Sequence, residues 1–176
     1  KTRIARRVAA LLGTTLWVDL AGLASKDEVV TAVARVLGLD QSQPDPDRVG
    51  ATLGRRRGTV LILDNLEQAV DAAAELVGLW RKLAPELRIL GTSRIRLGVD
   101  DEVAIEVGAL GDDDAVELFV ERARAASSGF VRPADRSVLL ALVRRLDRMP
   151  LAIELAAGRT PVFAPADLLA RLDLDL

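Results

Sequence analysis

The chain has no cysteine and no histidine. Without thiols there is no disulfide framework, no thiolate nucleophile and no sulfur-ligated metal. Without imidazole there is no His-dependent triad and no His-ligated zinc. Tyrosine is absent too, and aromatic residues make up only 3% of the 176 positions. Any core must therefore be built from Leu, Val, Ile and Ala. Charge of one sign is also lacking. The formal net charge is −2, which gives no electrostatic reason to expect nucleic-acid binding by this segment. No apolar run reaches the roughly 18 residues of a membrane span, and nothing at the start resembles a signal peptide. A cysteine-free globular composition fits the cytoplasm. The first residue is Lys1 and not Met, so the expectation is a fragment or a processed chain.

What is present is a hydrophobic half of the composition, 50%, enough to bury one compact domain or a domain with a small satellite. Three short apolar runs stand out: Leu16 to Leu20, Val60 to Leu63 and Arg88 to Gly91. Val60-Leu61-Ile62-Leu63 is uniformly apolar, as expected of a strand covered on both faces. A fourth run, Glu102 to Val107, alternates polar and apolar and predicts an edge strand. Helical patterns separate these runs, at Lys1–Leu12, Asp27–Leu37 and Glu67–Leu83. Gln41 to Asp47, with Pro44 and Pro46, reads as a surface loop. Strands alternating with helices imply right-handed crossovers and a parallel sheet. After about residue 109 only helical patterns follow: Asp112–Ala126, Ala134–Leu146, Pro150–Ala157 and Ala164–Leu172. The expected organisation is an α/β unit over 1–109 and an all-helical unit over 110–176.

Four places could carry chemistry. Lys1-Thr2 opens an amphipathic helix. In a phosphate-binding loop such a Lys reaches the β- and γ-phosphates and the Thr hydroxyl binds magnesium. A plain solvated helix start explains the same two residues. Asp64 ends a buried strand, at the edge of the sheet where ligands bind in open α/β folds. It could hold the magnesium that bridges phosphates, or it and Asn65 could cap the next helix. Asn65 with Gln68 has the spacing of a capping box. Arg94, in Gly-Thr-Ser-Arg after the third run, could meet a γ-phosphate or be an ordinary surface arginine. Pro150 follows Asp147-Arg148-Met149 and suits a first helical position without any function. Arg55-Arg56-Arg57 reads as a solvated helix end, with no aromatic partners for nucleic acid.

The order of these pieces says more than any one of them. Lys-Thr-Arg-Ile-Ala is followed by Leu-Ile-Leu-Asp-Asn-Leu-Glu-Gln, then Arg-Ile-Leu-Gly-Thr-Ser-Arg, then Arg-Leu-Asp-Arg-Met-Pro-Leu-Ala-Ile-Glu-Leu-Ala-Ala. Over nearly its whole length the chain resembles the signal transduction ATPases with numerous domains, the NB-ARC-like class, in the form found in large bacterial transcriptional regulators. The resemblance implies a P-loop NTPase fold with ATP or ADP and Mg2+ as cofactors. By position it makes Lys1 and Thr2 the end of the Walker A loop and Asp64 the Walker B carboxylate. Thr2 and Asp64 would share the metal. Arg94 would sense the γ-phosphate, Pro150 would pack on the nucleotide base, and Phe119 would only build the core of the helical unit. It also implies partner domains on the same chain, DNA contact only through a domain outside this segment, no membrane, and an oligomer that depends on nucleotide.

Two positions depart from that pattern. The residue after Asp64, often acidic in ATPases that hydrolyse well, is Asn65. The glycine usual two residues before the proline is Arg148. An amide takes no proton at neutral pH, so a slow switch is expected in place of a fast enzyme, with Glu67 as the substitute base. The alternatives are an AAA-type motor, which turnover would reveal, and a scaffold that binds no nucleotide. In the resembled fold a strand before the phosphate loop lies between the third and fourth runs. The expectation is that this strand precedes Lys1, that Arg88–Thr92 and Glu102–Val107 share no ladder, and that the 176 residues alone are inactive and unstable.

Overall fold

The computed structural model describes residues 1–133 and 135–174. Its contacts divide the chain into two compact units, Lys1–Ile105 and Glu106–Leu176. The first contains α1 (Thr2–Leu12), β1 (Thr15–Asp19), α2 (Lys26–Leu37), α3 (Pro46–Arg55), β2 (Val60–Asp64), a 3-10 turn (Leu66–Gln68), α4 (Val70–Leu83) and β3 (Arg88–Gly91). The strands form a three-stranded parallel sheet in the order β1-β2-β3. The register sets Asp19 beside Asp64 and Leu63 beside Gly91.

Strand alternation sends neighbouring side chains to opposite faces. Leu16, Val18, Leu61 and Leu63 share one face and join the core formed with α2, α3 and α4. Trp17, Ile62 and Asp64 point to the other face. There Thr2 and Arg6, one turn apart on α1, reach Asp64 and the Trp17 ring respectively. β2 is buried at every position, as its uniform run predicts. α2 begins with a full capping box, Ser25 with Glu28.

Helix α3 starts inside the predicted loop. Asp45 accepts from the Asp47 and Arg48 amides at 3.0 and 3.1 Å, and Pro46 takes the first helical position. The helix then lies close on α4. Trp80 Nε1 donates to the Pro46 carbonyl at 3.0 Å. A Cβ on Gly50 would sit 2.6 Å from Leu83 Cδ1 and 3.0 Å from Trp80 Cδ1, and one on Gly54 would sit 3.1 Å from the Leu83 carbonyl oxygen. Gly50→Val is therefore expected to destabilise the unit by about 1–3 kcal/mol, through overpacking against a fixed Trp80. Gly78 in α4 has open space around its Cβ position, so Gly78→Ala should cost nothing. Urea midpoints that move equally for both variants would show that α3 is free to shift.

The fourth run is not a strand. Glu102 to Val107 carries no ladder, and Val103 and Ile105 are 85% and 81% exposed. Glu102 instead folds back, its carboxylate accepting the Leu97 and Gly98 amides at 3.1 and 2.8 Å. Alternation reports sidedness but supplies no partner strand. Among the described residues β3 bonds only to β2, so its other edge is open. The predicted capping box at Asn65 is absent as well, because the Asn65 side chain makes no cap bond and Gln68 is engaged elsewhere.

The second unit is helical: α5 (Asp112–Ala126), α6 (Arg136–Arg145), α7 (Pro150–Ala157) and α8 (Pro165–Leu174). The predicted start of α6 at Ala134 lies outside the described residues. Phe119, Leu139, Leu142 and Ile153 are fully buried in its core. α6 ends in two left-handed residues, Asp147 and Arg148, at φ 52° and 54°. Arg148 N donates to the Val143 carbonyl at 2.9 Å and closes the helix end. A glycine would adopt that backbone without strain. Arg148 stays there with its guanidinium 3.6 Å from Asp112, which Arg144 also holds at 2.6 Å. Among the described residues no helix is long and apolar enough to cross a membrane.

Candidate functional site

The polar cluster of the first unit lies where the strands end. Asp64 is buried at the last position of β2. Its Oδ1 accepts from Thr2 Oγ1 at 2.9 Å and from Thr92 Oγ1 in a very short hydrogen bond. A buried carboxylate needs such partners, and among the described residues no cationic side chain pairs with it. Lys1 Nζ reaches over the same edge and donates to the Ser93 carbonyl at 2.6 Å. Lys1 is also the N-cap of α1, and neither a side-chain cap nor an acidic residue occupies that helix start. The start of α1, the positive end of that helix, therefore lies at this edge.

Asn65 turns the chain away from β2 at φ 64°. Its amide N donates to Thr92 Oγ1 at 3.1 Å, and Leu66 N to the Thr92 carbonyl at 3.0 Å. On the other side, Asn65 Nδ2 donates to Asp19 Oδ1 at 2.8 Å, and Gly22 N to Gln68 Oε1 at 2.9 Å. The 65–68 turn is thus fixed to the exits of both flanking strands. Glu67, from the same turn, pairs with Arg94 at 3.4 Å, while the Arg94 side chain stays 82% exposed. Asp19 is held below the usual carboxylate range by the Ala21 amide, then the Asn65 side chain, with the Arg6 charge adding to them.

Of the residues singled out from sequence, Lys1, Thr2, Asp64, Glu67 and Arg94 thus belong to one unit. Thr2 touches Asp64, Lys1 reaches Ser93 beside Arg94, and Glu67 touches Arg94. Pro150 opens α7 in the second unit, at the first helical position. Sequence reasoning missed Asp19, Thr92 and Ser93, and gave Gln68 a capping role in place of its bond to Gly22. An Asp directly after an apolar stretch, Asp19 after Leu16-Trp17-Val18 and Asp64 after Val60 to Leu63, is the signal that was available.

Thr2 Oγ1 and Asp64 Oδ1 are oxygen donors of the type magnesium takes, and their 2.9 Å separation is that of the hydrogen bond between them. No group of three or more acidic side chains suited to a metal occurs among the described residues. A metal here would need oxygens from a ligand, as magnesium does when it is held by one or two carboxylates and phosphates.

These observations define an α/β unit with a parallel sheet and a polar cluster at its strand ends, followed by a helical region. No family model matches the chain. It is 36% identical over 182 residues to an uncharacterized protein of Mycobacterium tuberculosis, covering 98% of this chain and 46% of that protein. It is 37% identical over 180 residues to a second M. tuberculosis protein, named as a candidate HTH-type transcriptional regulator, covering 98% of this chain and 20% of that one. A Mycobacterium bovis counterpart of the latter matches equally. The chain is homologous to a segment of these larger proteins, and it spans about half the length, or less, of the relatives it matches.

Proposed function

We propose that this chain is the nucleotide-binding switch of a multidomain transcriptional regulator, one that holds Mg-ATP in one state and ADP in another. The observation that carries the reading is the Thr2–Asp64 contact at the start of α1. It sets two oxygen donors beside the start of a helix and the Lys1 ammonium. Anions bind at helix starts of this kind. The regulator relatives supply the setting, since they are named for a helix-turn-helix and match this chain over a fifth of their length.

In this reading Lys1 and the first α1 amides bind phosphate oxygens, and Thr2 and Asp64 hold the metal, which neutralises phosphate charge when bound. Thr92 positions Asp64, and Arg94 reports the terminal phosphate. Hydrolysis is slow because Asn65 occupies the place of a base and Glu67 is paired with Arg94. The test is calorimetric titration of the intact protein with ATP and ADP, with and without Mg2+. Binding of neither nucleotide would leave a scaffold as the function.

One variant separates the two states. Arg94→Ala is expected to weaken ATP binding about tenfold, the worth of one charge-assisted hydrogen bond, and to leave ADP affinity unchanged. Equal losses for both nucleotides would assign Arg94 to another role.

A further inference from the structure

Arg55-Arg56-Arg57 has no part in the strand-end cluster. β2 and β3 are parallel and begin at Val60 and Arg88. The three arginines and the 83–87 turn lead into those starts, at the edge of the sheet opposite Asp64. Here the ends of α3 and α4 touch, since a Cβ on Gly54 would sit 3.1 Å from the Leu83 carbonyl oxygen. A shallow groove of about 400 Å³ crosses the junction. Leu83, 41% exposed, joins Pro85 and Leu87 in its apolar lining, and Arg56, Arg57 and Glu86 supply the charged lining. Ala51 also lines it, and Arg55 lies one turn further along the same face of α3. Arg56 Nη2 donates to the Leu37 carbonyl at 3.2 Å, which fixes that guanidinium. Arg57 meets Glu86 at 3.9 Å, with side chains 83% and 73% exposed. That separation is beyond a hydrogen bond, and exposed pairs of this kind contribute little. The helix dipole accounts for a cation in the last turn of α3, but not for a run of three or for the apolar lining beside it.

We propose that this groove docks an acidic peptide segment of a partner protein, which sets a leucine-sized side chain on the apolar lining and its carboxylates on Arg56 and Arg57. Guanidinium and carboxylate pair through two parallel hydrogen bonds, and Glu86 loosely holds the place that a partner's carboxylate takes. Charge decides the kind of partner. The 176 residues carry −2 overall, so an acidic segment has no general attraction to them, and only a local concentration of arginines draws it in. Nucleic acid is the poorer fit, because no aromatic side chain is among the described residues that line the groove, and bases have nothing to stack on. A groove of this size gives a weak and quickly exchanged contact. The surface lies apart from the strand-end cluster and does not depend on that cluster binding nucleotide.

The test uses the intact protein and a fluorescein-labelled peptide, Glu-Glu-Leu-Leu-Glu-Glu, read by fluorescence anisotropy. Binding is expected at low salt. It should weaken about tenfold as ionic strength rises to about 0.15 M, where the screening length shrinks to about 8 Å. Arg57→Glu should weaken the probe about tenfold or more, the loss of one charge-assisted hydrogen bond. Arg57 is largely exposed, so thermal unfolding of this variant should match that of the unaltered protein, and the loss is one of docking and not of fold. Glu86→Gln removes the resident carboxylate and should tighten the probe about threefold. A peptide with Ala in place of both Leu should bind about tenfold more weakly. No probe binding at low salt, or an affinity that Arg57→Glu leaves unchanged, would overturn the inference. So would an oligothymidylate of equal charge that binds more tightly than the peptide and is lost in Arg57→Glu, since the patch would then be a nucleic-acid surface.

Discussion

Lys1→Ala in the intact protein is expected to abolish nucleotide binding, with affinity for ATP falling about 100-fold or more. Lys1 is the cation at the strand-end edge that sits directly on the helix start, and its Nζ already reaches across to the Ser93 carbonyl. Its present partner is a neutral oxygen, so an arriving phosphate exchanges a modest hydrogen bond for a charge pair. Charge-assisted hydrogen bonds are about twice as strong as neutral ones. Truncating one member of a desolvated charge pair typically costs about 2–5 kcal/mol, which at the upper end exceeds 100-fold. Asp64→Asn should act differently. It keeps an acceptor for Thr2 and Thr92 but removes the charge, so the Mg2+ dependence of binding should vanish while metal-free affinity persists. Lys82→Ala, in the last turn of α4, serves as the control and should change nothing. ATP affinity unmoved by Lys1→Ala in calorimetry would refute the phosphate role and leave Lys1 as a solvated helix cap.

The sequence made the strand ends readable but not their neighbours. Val60 to Asp64 announces a buried strand closed by a carboxylate, and that is what β2 is. Asp19 carries the same signature in shorter form, at the end of Leu16-Trp17-Val18. Its importance depends on register, and register joins positions 45 residues apart, as the pairing of Asp19 with Asp64 does. No local pattern encodes that pairing. Thr92 was hidden for a similar reason. A threonine after an apolar run is common, and only the parallel pairing of β3 with β2 brings its hydroxyl onto Asp64.

The two proline-marked positions show local chemistry overriding a coarse rule. Pro44 and Pro46 suggest a loop, yet Asp45 followed by Pro46 is also a complete helix start. At the end of α6 the chain accepts two left-handed residues where a glycine would be easy, and it anchors Arg148 through Asp112. The Asn65 and Gln68 spacing misled in the opposite direction. Their side chains can cap a helix or cross to β1, and the ionised Asp19 carboxylate and the free Gly22 amide were the better partners.

Residues Lys1–Leu176 prepared alone are expected to self-associate and to show no cooperative melt above about 45 °C, the low end for mesophile domains. The reason is the outer edge of β3. Among the described residues it has no strand neighbour, and open edges of this kind recruit other chains. The same unit also exposes apolar side chains: Ile4 at 50%, Leu11 at 74%, Ile95 at 57%, and Val103 and Ile105. Fully covering an exposed side chain of this kind contributes about 1.5–3 kcal/mol, and less for the half-covered Ile4 and Ile95, against a typical domain stability of only about 5–15 kcal/mol. A further parallel strand beside β3 would satisfy the open amides and carbonyls, and Glu102 to Val107 has the alternation to pair on its far side. Such a strand can come from more of the same polypeptide or from a second copy. The two sources differ in concentration dependence. Light scattering that grows with protein concentration, and is suppressed by Leu90→Lys on β3, is the expected result. A monomer that melts cooperatively above that temperature would show that the open edge is tolerated as it stands.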